Sequence, residues 1–257
     1  MKTVFLWAML LSMMTKGHAF PFLRSISSSL TLAMGLQNKE MERALKSKGH
    51  SAILGIDEAG RGCLAGPVVC GGVICLDDEI DERILEATDS KKISETKRRL
   101  IYDIITTDTD RYMTTYSVVD HAKIDEMNIL QATMSGMEVA IRQLVEQFSA
   151  QQNQKFGSSL YAIVDGNKVP ARSPISTRAL VKGDSLCLSV ALASIVAKVK
   201  RDEIMVEYHD QYPEYNFAKH KGYPTREHVL AIGQYGASDI HRLTFKPLRG
   251  VTKRSNN

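Results

Sequence analysis

Apolar positions fall into short dense runs and longer periodic stretches, and the two patterns predict strands and helices respectively. Residues 52–57 (A-I-L-G-I-D) and 67–76 (P-V-V-C-G-G-V-I-C-L) are apolar runs of strand length, separated by the turn-rich stretch 59–66. Residues 112–119 are rich in β-branched and aromatic side chains and predict a third strand. Residues 160–165 (L-Y-A-I-V-D) form a buried strand ending on an acid, and 178–181 a last short strand. Ser94 is placed to cap a helix running to about residue 106. Leu130, Met134, Met137, Ile141, Leu144 and Phe148 recur at three- and four-residue steps, which marks one long amphipathic helix. Residues 188–208 read as a helix whose small face (Ala191, Ala193, Ser194, Ala197) permits close packing on a sheet. Antiparallel-looking strands followed by strand-helix alternation predict an α/β fold: a mixed β-sheet flanked by helices. With no internal repeat or interior linker, one domain over residues 50–250 and a tail at 251–257 is the simplest division.

A chain of 257 residues, 44% of them hydrophobic, can bury a substantial core, and its composition excludes low-complexity and collagen-like classes. Cys63, Cys70, Cys75 and Cys187 contain no C-x-x-C pair, so they read as small apolar residues rather than a zinc or redox site. The net charge of +4 comes from the first 39 residues, which carry Lys2, Lys16, Arg24 and Lys39 and no acid; the remainder is formally neutral. Net charge therefore says nothing about partners. Its distribution says more: residues 216–257 carry eight basic residues against two acids, a surface that would track phosphates if the rest of the chain handles nucleic acid.

Residues 1–19 read as a secretory signal, with Lys2, an apolar run at 4–14 and a small-x-small site at Gly17, His18 and Ala19. The run is too short to span a bilayer, which takes about twenty residues. Residues 20–45 open Ser-rich and acid-free, as transit peptides do. Signal plus transit segment resembles the bipartite leaders of plastid proteins in secondary endosymbiotic algae; a mitochondrial presequence is the main rival, and a misassigned start codon, with a cytoplasmic protein, the other alternative.

Candidate chemistry concentrates at Gly55-Ile56-Asp57-Glu58-Ala59-Gly60-Arg61-Gly62, where two adjacent acids end a strand and run into glycines. Gly55 and Gly60 have Walker A spacing, but Arg61 and Gly62 replace the required Lys and Ser or Thr. Gly60-x-Gly62-x-x-Ala65 fits a dinucleotide fingerprint, but it leads into a strand rather than a helix. A strand-end carboxylate pair remains, followed by glycines whose bare backbone a ligand can approach. Two adjacent acids repel unless a cation compensates, and a hard divalent ion is the usual partner. Asp165 ends the later strand in the same way, and Asp184 lies in a turn before the long helix. If these four acids converge, two Mg²⁺ or Mn²⁺ ions about 3.5 to 4 Å apart would bind one scissile phosphate.

G-I-D-E-A-G-R-G (55–62), L-A-G-P-V-V (64–69), D-S-K-K (89–92), V-D-G (164–166), V-K-G-D-S (181–185), A-S-I-V-A-K-V-K-R-D (193–202), Y-P-E-Y (212–215), F-A-K-H-K-G-Y (217–223) and I-H-R (240–242) together resemble bacterial-type ribonuclease HII, in family order over residues 51–249. The resemblance implies an RNase H-like fold with a helical C-terminal portion and metal-dependent hydrolysis of RNA paired with DNA, including single ribonucleotides embedded in duplex DNA. Products would carry 5′-phosphate and 3′-hydroxyl ends, in the service of ribonucleotide and primer removal. It makes Asp57, Glu58, Asp165 and Asp184 the catalytic, metal-binding carboxylates. Gly60, Arg61 and Gly62 become readers of the 2′-hydroxyl, and Tyr223 the residue stacking on the next sugar; the 2′-hydroxyl is what separates RNA from DNA. Lys91 and Lys182 are candidate phosphate contacts. Asp202 reads as structural, and His220, His228 and His241 as packing or phosphate contacts rather than ligands of an oxygen-loving metal.

The chain departs from the family pattern at Cys63, Leu186 and Pro224, which touches junction preference more than hydrolysis. The expected protein is a monomer acting on RNA-DNA hybrids in a plastid. The rivals are a binding module that has lost its chemistry, which the four acids argue against, and a nucleotide-binding regulator, which ATP or NAD would stabilise without metal.

Overall fold

The computed structural model describes residues 40–77, 81–84, 87, 90–152 and 159–252. The expected signal segment, most of the transit-like segment and Asp89 lie outside them. Helix α1 (Glu40–Lys46) precedes strands β1 (Ala52–Ala59) and β2 (Val68–Cys75). Helix α2 (Glu95–Thr107) leads into β3 (Tyr112–Val119), and α3 (His121–Met127) and α4 (Ile129–Gln151) follow. Then come β4 (Leu160–Asp165), β5 (Ser176–Leu180), the single turn α5 (Gly183–Leu186) and α6 (Leu188–Gln211). Helices α7 (Phe217–His220) and α8 (Arg226–Tyr235) give the helical C-terminal portion.

The five strands lie in the order β3-β2-β1-β4-β5, and the sheet is mixed as expected. β1–β2 and β2–β3 pair antiparallel; β1–β4 and β4–β5 pair in parallel. β5 begins two residues earlier than its sequence suggests because Ser176 pairs with Tyr161. Ser94 caps α2, its side chain accepting the Lys97 N–H.

Helix α4 covers one face of the sheet: Met137, Ile141, Leu144 and Phe148 pack on Leu54, Ile56, Ile74 and Val164. The other face takes α6, whose Ala191, Ala193 and Val196 share a core with Val73 and with Ile101 and Ile105 of α2. A Cβ on Gly55 would stand 2.0 Å from the Ser189 carbonyl carbon and one on Gly71 2.3 Å from the Ala193 oxygen, so α6 lies directly on bare backbone. A separate C-terminal core joins Leu64 and Ala65 to Met205, Tyr215, Phe217 and Ile240. All four cysteines are free and buried, as their spacing implies.

Helix α1 changes the expected domain boundary. Its Met41 and Leu45 pack on Ile53, Ile163, Cys187 and Val190, so the packed unit includes Glu40–Lys46 and a transit segment reaching residue 45 would overlap it. The sequence hid this helix because its two apolar contacts are too few to set a period. No helix among the described residues is long and apolar enough to cross a membrane.

Candidate active site

Strand register brings the first two acids together. The parallel pairing of Ile56 with Val164 places Asp57 beside Asp165 one residue further on, with both side chains on the α6 face. Both stand at strand carboxyl ends, where open α/β sheets bind ligands. Glu58 follows on β1, Asp184 is carried on α5, and all four acids line one cleft of about 460 Å³.

The cleft is electrostatically unfavourable as it stands. Burial pushes the Asp57 carboxyl well above the ordinary value, and repulsion from Glu58, Asp165 and Asp184 adds to this against one opposing Glu58 N–H bond. Burial also raises Glu58, against the pull of Arg61. Each acid is engaged by a nearby donor. Asp57 Oδ1 accepts the Glu58 N–H at 2.7 Å, Glu58 Oε1 pairs with Arg61 at 3.2 Å and Asp165 Oδ1 accepts the Gly183 N–H at 2.7 Å. Ser185 Oγ lies 3.3 Å from Asp184 Oδ1.

Among the described residues, no three His, Cys, Asp or Glu side chains are arranged to hold a metal ion. The expected four-acid centre is thus present as a shared cleft rather than a closed set of ligands. The donor set nonetheless fits a hard divalent cation, because oxygen-only ligands in a partly buried cleft are what Mg²⁺ and Mn²⁺ take.

The loop after β1 also lines the cleft. Gly60, Arg61 and Gly62 all line the cleft, and two buried arginines hold this loop from behind. Arg201, 1% exposed, donates to the carbonyls of Pro67 (3.0 Å), Ala65 (3.1 Å) and Lys221 (2.8 Å). Arg242, fully buried, donates to Gly66 (2.9 Å), Arg61 (3.1 Å) and Pro67 (3.0 Å). Burial, with Arg201 alongside, lowers the Arg242 guanidinium to about 10. Gly60 has φ +100°, and a Cβ there would sit 2.0 Å from Arg201 Nε. The sequence placed Arg201 and Arg242 in motifs but gave no sign that both bind backbone.

Tyr223 lines the cleft beneath Lys198 and Arg201, whose cationic groups lie 6.0 and 5.9 Å from its ring centre. Its carbonyl accepts the His228 Nδ1–H at 2.9 Å, which leaves His228 Nε2 to accept from His241 Nε2–H at 3.0 Å. His241 Nδ1 then accepts the Ser238 N–H (2.9 Å) and hydroxyl (2.7 Å). His220 stacks on His228 with ring centres 4.4 Å apart. Both histidines of the relay are neutral, burial holding His228 at about 4 and His241 at about 3. They pack and position, and neither lines the four-acid cleft.

Lys91 lines the cleft, whereas Lys182 does not: it is exposed beside it, in a left-handed conformation at φ 59°. The sequence reading missed Lys198, Arg98 and Ser90, which also line the cleft. Asp202 accepts from Lys198 at 2.6 Å and lies 3.9 Å from Arg98, which in turn donates to the Ser90 and Ile93 carbonyls. The i, i+4 spacing of Lys198 and Asp202 was visible, but it reads equally as a solvated pair.

Comparison with known proteins places the chain in a family. Ribonuclease HII of Francisella tularensis subsp. novicida (strain U112) is 46% identical over 197 residues, covering 77% of this chain and 97% of the relative. Ribonuclease HII of subsp. holarctica (strain LVS) is 45% identical over the same length. Among solved structures, ribonuclease H2 from Pyrococcus horikoshii OT3 superimposes with TM-score 0.58 at 26% identity, over 77% of this chain and 95% of that one. RNase HII in a PCNA complex from Archaeoglobus fulgidus gives TM-score 0.55 at 23% identity, over 76% and 95%, and supports the RNase H-like fold. The family described as Ribonuclease HII matches residues 54–248, well over half the sequence, and the chain belongs to it.

Proposed function

We propose that this ribonuclease H nicks RNA-DNA hybrids, and DNA duplexes at embedded ribonucleotides, by metal-dependent hydrolysis in the four-acid cleft. The carrying observation is the cleft itself: Asp57, Glu58, Asp165 and Asp184 line it together with Gly60, Arg61, Gly62 and Tyr223. Asp57, Glu58, Asp165 and Asp184 would hold two divalent ions, Mg²⁺ or Mn²⁺. When bound, these supply an activated water and neutralise charge developing on the phosphate and the leaving 3′ oxygen.

The chain's own residues do the rest. The backbone of Gly60 and Gly62, held by the arginines behind it, lies open to a 2′-hydroxyl, which both donates and accepts hydrogen bonds. Tyr223 offers a ring face to the following sugar. Lys91 and Lys198 offer cations to neighbouring phosphates; burial lowers the Lys198 pKa below its ordinary value, and Asp202 opposes that shift. Cleavage of the P–O3′ bond would leave a 3′-hydroxyl and a 5′-phosphate, ends suited to ribonucleotide excision and primer removal.

The test is a duplex with one ribonucleotide incubated with the protein, with and without chelator. A single metal-dependent nick at the ribonucleotide supports the reading; metal-independent cleavage, or none, ends it. We also infer that residues 1–39 direct the protein to a plastid while sparing α1, and that it acts as a monomer. A fluorescent fusion of that segment found in mitochondria or cytosol would refute the targeting, and a dimer mass in solution the monomer.

A further inference from the structure

We propose that Glu42, on α1 and outside the family match, is a positioning residue for Asp184; the proposal rests on the reading of the cleft given above. Glu42 is only 5% exposed, yet its Oε1 accepts the Ser189 N–H at 2.8 Å and lies 3.2 Å from Cys187 Sγ. Those two residues open α6. Cys187 occupies the N-cap position without a side-chain cap bond of its own. The first turn of a 24-residue helix therefore takes its cap from a distant element. A carboxylate is well suited there, since a helix N-terminus carries roughly half a positive charge.

The same segment carries Asp184. Helix α5 is one turn, closed by the Cys187 N–H on the Gly183 carbonyl at 2.8 Å, so Cys187 ends α5 as it begins α6. At the front of the turn the Gly183 N–H is bound by Asp165 at 2.7 Å. Val181 before the turn is 62% exposed and Leu186 within it 48%. Asp184 thus sits between two carboxylate anchors, Asp165 in front and Glu42 behind. Losing the rear anchor frees the turn to drift from Asp57 and Glu58 while leaving the substrate-reading wall, Gly60–Gly62 and Tyr223, untouched.

The test compares Glu42→Ala, Glu42→Gln and Leu45→Ala in the full chain. Leu45→Ala weakens the docking of α1 without removing the cap, and so controls for stability alone. Mn²⁺ affinity is measured by calorimetry, amide exchange over residues 183–189 by mass spectrometry, and kcat and KM on the single-ribonucleotide duplex. Glu42→Ala is expected to weaken Mn²⁺ binding at least fivefold, to speed exchange over 183–189 and to lower kcat with KM within twofold. Glu42→Gln, which keeps an acceptor oxygen, should recover most of the affinity, and Leu45→Ala should lower Tm with affinity unchanged. Wild-type Mn²⁺ affinity in Glu42→Ala, or equal weakening in Leu45→Ala, would overturn the proposal. If the wild type bound no Mn²⁺, the cleft reading itself would fail, and unchanged exchange over 183–189 in Glu42→Ala would separately refute the anchoring.

Discussion

Gly60→Ala and Gly62→Ala should separate two reasons for glycine in the loop after β1. At Gly60 the backbone has φ +100°, and a Cβ would stand 2.0 Å from Arg201 Nε and 2.7 Å from the Pro67 carbonyl oxygen. An L-residue in such a conformation costs about 1 to 3 kcal/mol. The guanidinium must also shift from three carbonyls, Pro67, Lys221 and Ala65, held at 2.8 to 3.1 Å. Hydrogen bonds to charged groups contribute roughly 1.5 to 3 kcal/mol each, so losing one brings the total to about 4 kcal/mol. That is a large part of a typical stability of about 5 to 15 kcal/mol. At Gly62 no heavy atom lies within 4 Å of the added carbon and φ is not in the left-handed region. Stability there should change by less than about 0.5 kcal/mol. The new methyl group would instead stand in the cleft where substrate backbone must approach, cutting nicking at a single ribonucleotide about tenfold or more. Urea denaturation paired with nicking assays reads both effects. Equal losses of stability in the two variants, or full activity in Gly62→Ala, would refute the division.

Asp57→Asn should abolish cleavage yet raise the free energy of unfolding by urea in chelator by on the order of 1 to 3 kcal/mol, because it removes a buried charge that three acids repel; a lower value would contradict this. His228 and His241 have folded-state pKa values of about 4 and about 3, below the ordinary value, so the unfolded chain takes up protons first. Stability should hold above about pH 6.5 and fall as pH drops toward those values, by up to about 1.4 kcal/mol per unit for each histidine. Replacing His241 with Gln should reduce that slope, as checked by denaturation between pH 7 and 4.5. Lys91→Met should raise KM several-fold with kcat nearly unchanged and lower the salt slope of hybrid binding by about one, a phosphate contact's signature.

Most of the sheet was legible because β1, β2 and β4 are dense apolar runs, and the acids at the ends of β1 and β4 became neighbours once those strands paired in parallel. Family motifs supplied the loop and the tyrosine. What stayed hidden depends on tertiary partners that leave no local trace. Glu42 sits in a seven-residue helix with little periodicity, next to a segment that reads as a leader. Arg201 and Arg242 bind backbone carbonyls, so no acid at a telling spacing points to them. Lys182 is exposed and is not among the residues lining the cleft, a placement that its sequence adjacency to Asp184 does not reveal.

The central claim is that Asp57, Glu58, Asp165 and Asp184 form a divalent-cation centre once charge is supplied. Anomalous diffraction from crystals grown with Mn²⁺ tests it most directly. The expected result is a peak between these side chains, with Asp57 and at least one of the others at roughly 2.0 to 2.3 Å, the range for small hard cations on oxygen. A site-free map at saturating Mn²⁺, or a peak elsewhere in the protein alone, would contradict the account.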